Sequence, residues 1–276
     1  MTAGEPQARE AVQRLAAAQR LRRPCPPVRD LLAAGDLDTA YAVQTAGIAA
    51  RLAAGATVVG HKIGLTNPKV QVQLGVDQPD FGVLLDDMSR SPHEPIESRD
   101  LLQPKIEAEL AFVLAADLTT GPVTEADVEA ATDYVVAALE IVDSRITDWD
   151  ITIVDTVADN ASSGLFVLGD THVALTGLDP RSVEMDMTDG EGIVSSGSGA
   201  DCLGDPRAAV AWLANTALRN GTPLRAGDVV LSGALGPMVP VTAGATYTAT
   251  ITGVGTVTAA FTGDVQPATS DAGEPQ

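Results

Sequence analysis

Two apolar runs of this chain carry carboxylates where a strand that builds a core has no place for an unpaired charge. Ile106 to Leu114 (IEAELAFVL) alternates and then turns fully apolar, the pattern of a strand that passes from a solvent-lined site into a core. It holds Glu107 and Glu109 two residues apart, so both side chains project from one face. Two anions this close repel and are costly to desolvate unless they share a proton, meet cations or bind a metal. The run Val135 to Val142 is apolar except for Glu140, and an acid in that setting is rarely buried without a partner. Three carboxylates converging from two strands would make a hard, all-oxygen site suited to Mg²⁺ or Mn²⁺, with the remaining octahedral positions left to water or substrate. A competing reading pairs Glu140 with Arg145 or Lys105, and on a solvated edge strand the Glu107/Glu109 pair would mean nothing. Zinc fits less well, because neither the two cysteines nor the three histidines fall at a ligand spacing.

The surrounding sequence predicts an α+β chain. Apolar residues recur at helical spacing from Ala8 to Leu21, and the Pro24-Cys25-Pro26-Pro27 cluster ends that helix. A second helix is expected from Thr39 to Ala53, opened by Asp36 or Asp38 and closed by Gly55. After this helical section, residues 1–55, the texture becomes short β-branched runs broken by Gly, Pro and Asn, beginning with Thr57 to Gly64 and a turn at Asn67-Pro68. Thr124 to Ala138 reads as a helix with a capping box, leading into a strand at Ala138 to Val142. A glycine-studded stretch, Gly190 to Pro206, precedes a helix from Pro206 to Asn220 and further short strands. The expected organisation is one unit: the helical front, a mixed β body over residues 56–264, and a polar tail, 265–276, read as disordered.

Charge narrows the partners. With 17 Lys+Arg against 37 Asp+Glu, the net charge of −20 repels phosphate backbones and anionic lipid surfaces, so neither nucleic acid nor membrane is expected. The six arginines of residues 1–30 read as a solvated helix face. No stretch approaches the ~20 apolar residues of a membrane span, and two cysteines make no disulfide framework, so a cytoplasmic protein acting on a small molecule is the expectation.

Of only three lysines, Lys62 lies in a strand-like segment between Gly60 and Gly64, where small neighbours leave room for a ligand. Beside a carboxylate-bound metal it could hold an anionic substrate or move protons; otherwise it is a strand-end lysine reaching solvent. Asp80 sits in a loop-like Gln78-Pro79-Asp80-Phe81-Gly82 segment, and Asp159 to Gly164 forms a small polar loop able to present amides and hydroxyls. Gly197 to Cys202 lacks the third glycine of a dinucleotide fingerprint and reads as a turn, and Ser162 and Ser163 lack the context of a serine-hydrolase elbow.

Six ordered segments, GHKIGLT, LGVDQPDFG, IEAEL, LEIVDSRITDW, DTVADNASSG and LSGALGPMVPV, together resemble the 2-keto-4-pentenoate (2-hydroxypenta-2,4-dienoate) hydratases. That group also includes 4-oxalocrotonate decarboxylases and, more remotely, fumarylacetoacetate hydrolases; the resemblance runs from the first helix to about Phe261. It implies a mixed β-roll-like core of the fumarylacetoacetate hydrolase C-terminal kind and a ring-like homo-oligomer. It also implies a divalent metal, Mg²⁺ or Mn²⁺, on Glu107, Glu109 and Glu140, with Lys62 and Asp80 as catalytic residues and Lys62 and Ser162 binding substrate. His61 stands where these proteins commonly have arginine, and because it faces away from Lys62 on a strand, an effect on packing or subunit contacts is expected. The activity implied is hydration of a small 2-hydroxy-dienoate in aromatic meta-cleavage catabolism, with the next enzyme of the pathway as an expected partner. A 4-oxalocrotonate-type 2-oxo-dioate decarboxylase is the alternative, marked by a cation at the distal end of the pocket, and a catalytically silent partner subunit is the other.

Overall fold

The computed structural model describes residues 5–67, 71 and 78–263. Two helices, α1 (Glu5–Leu21) and α2 (Leu37–Ala53), lead the chain. Asp36, not Asp38, caps α2, its carboxylate accepting from Thr39 N at 3.0 Å. The strands that follow are β1 (Val58–Gly64), β2 (Asp80–Leu85), β3 (Ser89–Arg90), β4 (Lys105–Leu114), β5 (Thr132–Val142) and β6 (Ser163–Leu168). After them come β7 (Glu184–Thr188), β8 (Ile193–Ser198), β9 (Val229–Ala234), β10 (Val239–Pro240), β11 (Thr246–Ile251) and β12 (Gly255–Ala260). Among the described residues, three further α-helices with defined bounds interrupt them: α3 (Glu125–Ala131), α4 (Ile153–Ala158) and α5 (Pro206–Arg219). Pro68 and the tail 265–276 lie outside the described residues.

One sheet has the order β2-β1-β9-β4-β5-β6-β3, with β10 added to β4; a second runs β12-β11-β7-β8. The larger is mixed, since β1–β9 and β3–β6 are parallel and its other pairs antiparallel. The chain is thus α+β, as the patterning predicts. The helix expected over Thr124 to Ala138 is corrected: its capping box forms, with Thr124 N donating to Asp127 Oδ2 at 2.8 Å, but it stops at Ala131. From Thr132 onward the chain pairs with β4, Thr132 opposite Leu114 and Val136 opposite Ala111. Cross-strand pairing and burial of Val135 and Val136 override the local helical spacing.

Alternation along β4 and β5 divides the apolar residues between the two faces. Ala108, Leu110 and Phe112 with Val135, Ala137 and Leu139 join the core that also takes in α5 and the second sheet. Ala111, Val136 and Ala138 pack on the other face with Leu84, Phe166 and Leu231. Glu107, Glu109 and Glu140 share that second face by the two-residue period.

The leading helices form their own cluster, in which Ala11, Leu15, Ala40 and Val43 meet Ile146, Val154 and Val157. Asp155 pins this cluster to the rest of the chain. Its fully buried carboxylate accepts from Val28 N and Arg29 N at 2.9 Å, from the Arg29 guanidinium at 2.8 Å, and from Thr152 N and Oγ1 at 2.9 and 2.8 Å. Gln44 Nε2 adds a second tie, donating to Phe81 O and Val157 O at 2.9 and 3.1 Å. No helix among the described residues is long and apolar enough to cross a membrane. Replacing Asp155 by Ala strands the buried Val28 amide and removes the partner of Arg29 and Thr152, and is expected to cost about 1–3 kcal/mol of stability. Denaturant unfolding should show the loss, with Asp155→Asn milder.

Candidate active site

The β4–β5 register sets Glu107 directly opposite Glu140, with Glu109 two residues along the same face. Each of the three offers an oxygen, and these oxygens lie within 4.8 Å of one another. Glu109 and Glu140 are buried, at 0% and 1% exposure, and Glu107 is half-buried. Glu109 Oε2 accepts from Gly233 N at 2.7 Å, whereas Glu109 Oε1 and Glu140 Oε2 have no hydrogen-bond partner. Gly233 has φ +111°, and a β-carbon there would fall 2.4 Å from Thr66 Oγ1, so only glycine can bring this amide to the carboxylate.

The partner of Glu140 is Lys62, with Nζ 3.2 Å from Oε1. Neither Arg145 nor Lys105 fills that place: Arg145 pairs with Asp159, and Lys105 lies over the Trp149 ring, 4.2 Å from its centroid. Lys62 is on β1, three strands from β5 in the sheet order, a separation of about 14 Å in a flat sheet. Curling of the sheet and the length of the lysine close that gap. Lys62 is 2% exposed, which excludes the reading of a lysine reaching solvent. Its neighbour Gly60 serves packing, not ligand access, since a β-carbon there would lie 1.8 Å from Val229 O. Gly64 does face the site, for its β-carbon would lie 2.2 Å from Asp80 Oδ1.

Asp80 is the first residue of β2, not a loop residue, and is buried in the same site. Thr156 Oγ1 donates to its Oδ2 at 3.3 Å, while Oδ1 has no partner. One ammonium therefore faces four buried or half-buried carboxyl groups. Burial, then repulsion from Glu140, pushes Glu107 up to about 7, and burial with the same neighbours raises Glu109. Burial also raises Glu140 and Asp80 despite the opposing pull of Lys62. For Lys62 burial opposes the charge, but Glu140, Glu107, Asp80 and Glu109 outweigh it and lift its pKa. An all-oxygen donor set with unpartnered buried oxygens and excess negative charge fits a hard divalent cation.

These groups open into a cavity of about 570 Å³, whose lining includes Lys62, Asp80, Glu107, Thr156 and Ser162. Its remaining wall is largely apolar, with Val142, Trp149, Ile151, Pro237 and Met238. Ser162 stands in a left-handed turn, Asn160, Ala161 and Ser162 having φ of 56°, 50° and 53°. Such a run is strained and persists only when neighbours over-determine it. Asn160 is paired to β2 through Val83 N and O at 2.8 and 2.9 Å. The buried Arg145 guanidinium donates to Asp159 Oδ1 at 2.5 Å, to Ser163 O at 2.6 Å, to Asp143 O at 3.0 Å and to Asp159 O. Sequence reasoning missed Arg145, Asp159, Asn160 and Thr156 as supports. For Arg145 and Asp159 the signal was present as charges inside the otherwise small or apolar stretches around LEIVDSRITDW and DTVADNASSG; the uncharged Asn160 and Thr156 gave none. His61 is buried on the face away from Lys62, its ring 6.5 Å from that of Phe81.

The fumarylacetoacetate (FAA) hydrolase C-terminal family model matches residues 57–262. The chain is 54% identical to the 2-keto-4-pentenoate hydratase of Burkholderia vietnamiensis over 249 residues, 90% of this chain and 95% of the relative. It is 56% identical over 236 residues to the TodF product hydratase of Pseudomonas putida, covering 85% and 88%. Among solved structures, the 4-oxalocrotonate decarboxylase from Pseudomonas putida G7, complexed with magnesium and adipate, superposes with a TM-score of 0.88. It is 33% identical, over 93% of this chain and 97% of that one.

A group whose pKa is raised by folding holds its proton in the folded state above the pH at which the unfolded chain has lost it. The Glu107 contribution to metal-free stability therefore falls as pH rises from about 4.5 through about 7. A divalent cation must displace that proton, so calorimetric titration with Mg²⁺ in buffers of different ionisation enthalpy should show more protons released at pH 6 than at pH 8. Glu107→Gln should reduce this difference.

Proposed function

The chain belongs to the fumarylacetoacetate hydrolase C-terminal family, and on that premise we propose that it is a hydro-lyase converting 2-hydroxypenta-2,4-dienoate to 4-hydroxy-2-oxopentanoate. The observation that carries this reading is the convergence of Glu107, Glu109, Glu140 and Lys62, with Asp80 in the same site, at a cavity lined by Lys62, Asp80 and Glu107 and otherwise largely apolar. More than half-identical relatives named as hydratases support it. The reaction belongs to the breakdown of aromatic ring-cleavage products. The same reading takes the enzyme as a cytoplasmic homo-oligomer that hands its product to the next enzyme.

Glu107, Glu109 and Glu140 would hold Mg²⁺ or Mn²⁺, which when bound supplies Lewis-acid stabilisation of negative charge on the 2-oxygen. Lys62, kept cationic by its carboxylate neighbours, binds the anionic 2-oxo acid end and donates a hydrogen bond to it. Ketonisation of the dienol with protonation at C5 leaves C4 electrophilic; water then adds at C4, and a proton returns to C3. Asp80 suits the proton transfers, because burial favours its neutral, donating form and Thr156 holds Oδ2 while leaving Oδ1 open toward the site. Ser162 lines the cavity from the left-handed turn, its hydroxyl donating to Asp159 Oδ2 at 3.4 Å and so set to accept a hydrogen bond from the substrate.

The decarboxylase reading calls for a cation at the far end of the pocket to receive a second carboxylate. Among the described residues that line the cavity, Lys62 is the only basic one, and it stands at the carboxylate cluster. A silent partner subunit has no need of a buried, unbalanced carboxylate cluster, which costs stability when no cation is bound.

Freshly generated 2-hydroxypenta-2,4-dienoate with Mg²⁺ should lose its ultraviolet absorbance on addition of the enzyme without releasing CO₂. Lys62→Met and Glu109→Gln should each lower kcat/KM by about 10²–10³-fold. Efficient CO₂ release from 4-oxalocrotonate, with no hydration of the monoacid, would overturn the reading.

A further inference from the structure

We infer that Asp201 is a specificity determinant of this pocket, a fixed negative charge that turns away substrates bearing a second carboxylate. The inference rests on the hydratase reading and adds to it the substrate class: an acid at one end only. Asp201 ends the short turn Gly199–Asp201 that follows β8, and it lines the same cavity as Lys62 and Glu107 without belonging to their strands. It is half-buried, and its Oδ2 accepts from both Ser198 N and Ser198 Oγ at 3.0 Å, which fixes the carboxylate's direction.

The turn itself is held in place. A β-carbon on Gly199 would fall 1.8 Å from Pro180 O, so the chain there lies flush against a neighbouring backbone. Leu203 N donates to Thr66 O at 3.0 Å, tying the segment after the turn to the residues that continue from β1 and hence from Lys62. The charge is thus carried on a turn tied by backbone contacts to the segment that follows Lys62.

Charge balance gives the consequence. Among the described residues no basic side chain forms an ion pair with Asp201, and the cavity's basic residue, Lys62, is engaged with Glu140. A substrate carboxylate can be accommodated next to Lys62 and the metal ligands. By this inference a second one, carried along the same cavity on a six-carbon dioate, meets Asp201, which lines that cavity with Val142, Trp149 and Met238, in a medium that screens charge less than water does. An uncharged end, hydrogen or a small alkyl group, meets the apolar wall without that repulsion. Discrimination of this kind comes as much from the repulsive element as from the attractive one.

The test uses adipate and hexanoate, which share a six-carbon chain and differ in the second carboxylate, as competitive inhibitors of the Mg²⁺-loaded enzyme turning over 2-hydroxypenta-2,4-dienoate. Asp201→Asn and Asp201→Ser should each improve the inhibition constant of adipate relative to that of hexanoate by about tenfold. Asp133→Asn, which removes one exposed charge outside the pocket, should leave the ratio unchanged. A ratio unaltered in both Asp201 variants, or altered equally by Asp133→Asn, overturns the inference while the hydratase reading stands. Wild-type protein that does not hydrate the monoacid overturns the hydratase reading instead; thermal shifts with the two acids then still report the ratio.

Discussion

The structure depends on a buried charge imbalance: three glutamates from two paired strands, with Asp80 beside them, against a single lysine. Desolvating these carboxylates is unfavourable, and Lys62 offsets only part of the cost. The raised pKa values of Glu107, Glu109 and Glu140 express this, since burial, and for Glu107 and Glu109 the neighbouring carboxylates, disfavour the charged form. A dication would resolve the imbalance and give the unpartnered oxygens of Glu109 and Glu140 a partner. The fold thus builds in a demand for a cation at this cluster.

The supports of the site are themselves buried ions. Arg145 and Asp159 hold a turn of three left-handed residues that no favourable backbone preference would sustain. Asp155 fixes α4, which carries Thr156, to the segment leading out of α1. Thr156 in turn holds one oxygen of Asp80. The front helices therefore contribute to the geometry of the pocket although α1 supplies none of its described lining.

The acidic surface and the anionic substrate are compatible because the field is local. A net charge of −20 is spread over the molecule and screened by salt within about 10 Å. In the pocket, Lys62 and a dication held by the glutamates would set the sign, while Asp201 adds a negative group to the lining. Attraction to the one and repulsion from the other are what the proposed discrimination between acids with one and two carboxylates rests on.

Much of the site was legible in the sequence because strand alternation is a local rule. It put Glu107 and Glu109 on one face, and the apolar company of Glu140 demanded a partner for it. The choice of partner was not legible: Arg145 and Lys105 are nearer in sequence to the two runs, yet Lys62, 78 residues before Glu140, takes the place. That pairing exists only because β1 enters a curled sheet three strands away. The same limit explains the helix over residues 132–138 that became a strand, since pairing with β4 is a long-range contact that local spacing cannot register. By itself the sequence determined which side chains could not be left alone in a core. Tertiary structure decided which of them meet, because that is a question of distance between residues far apart along the chain.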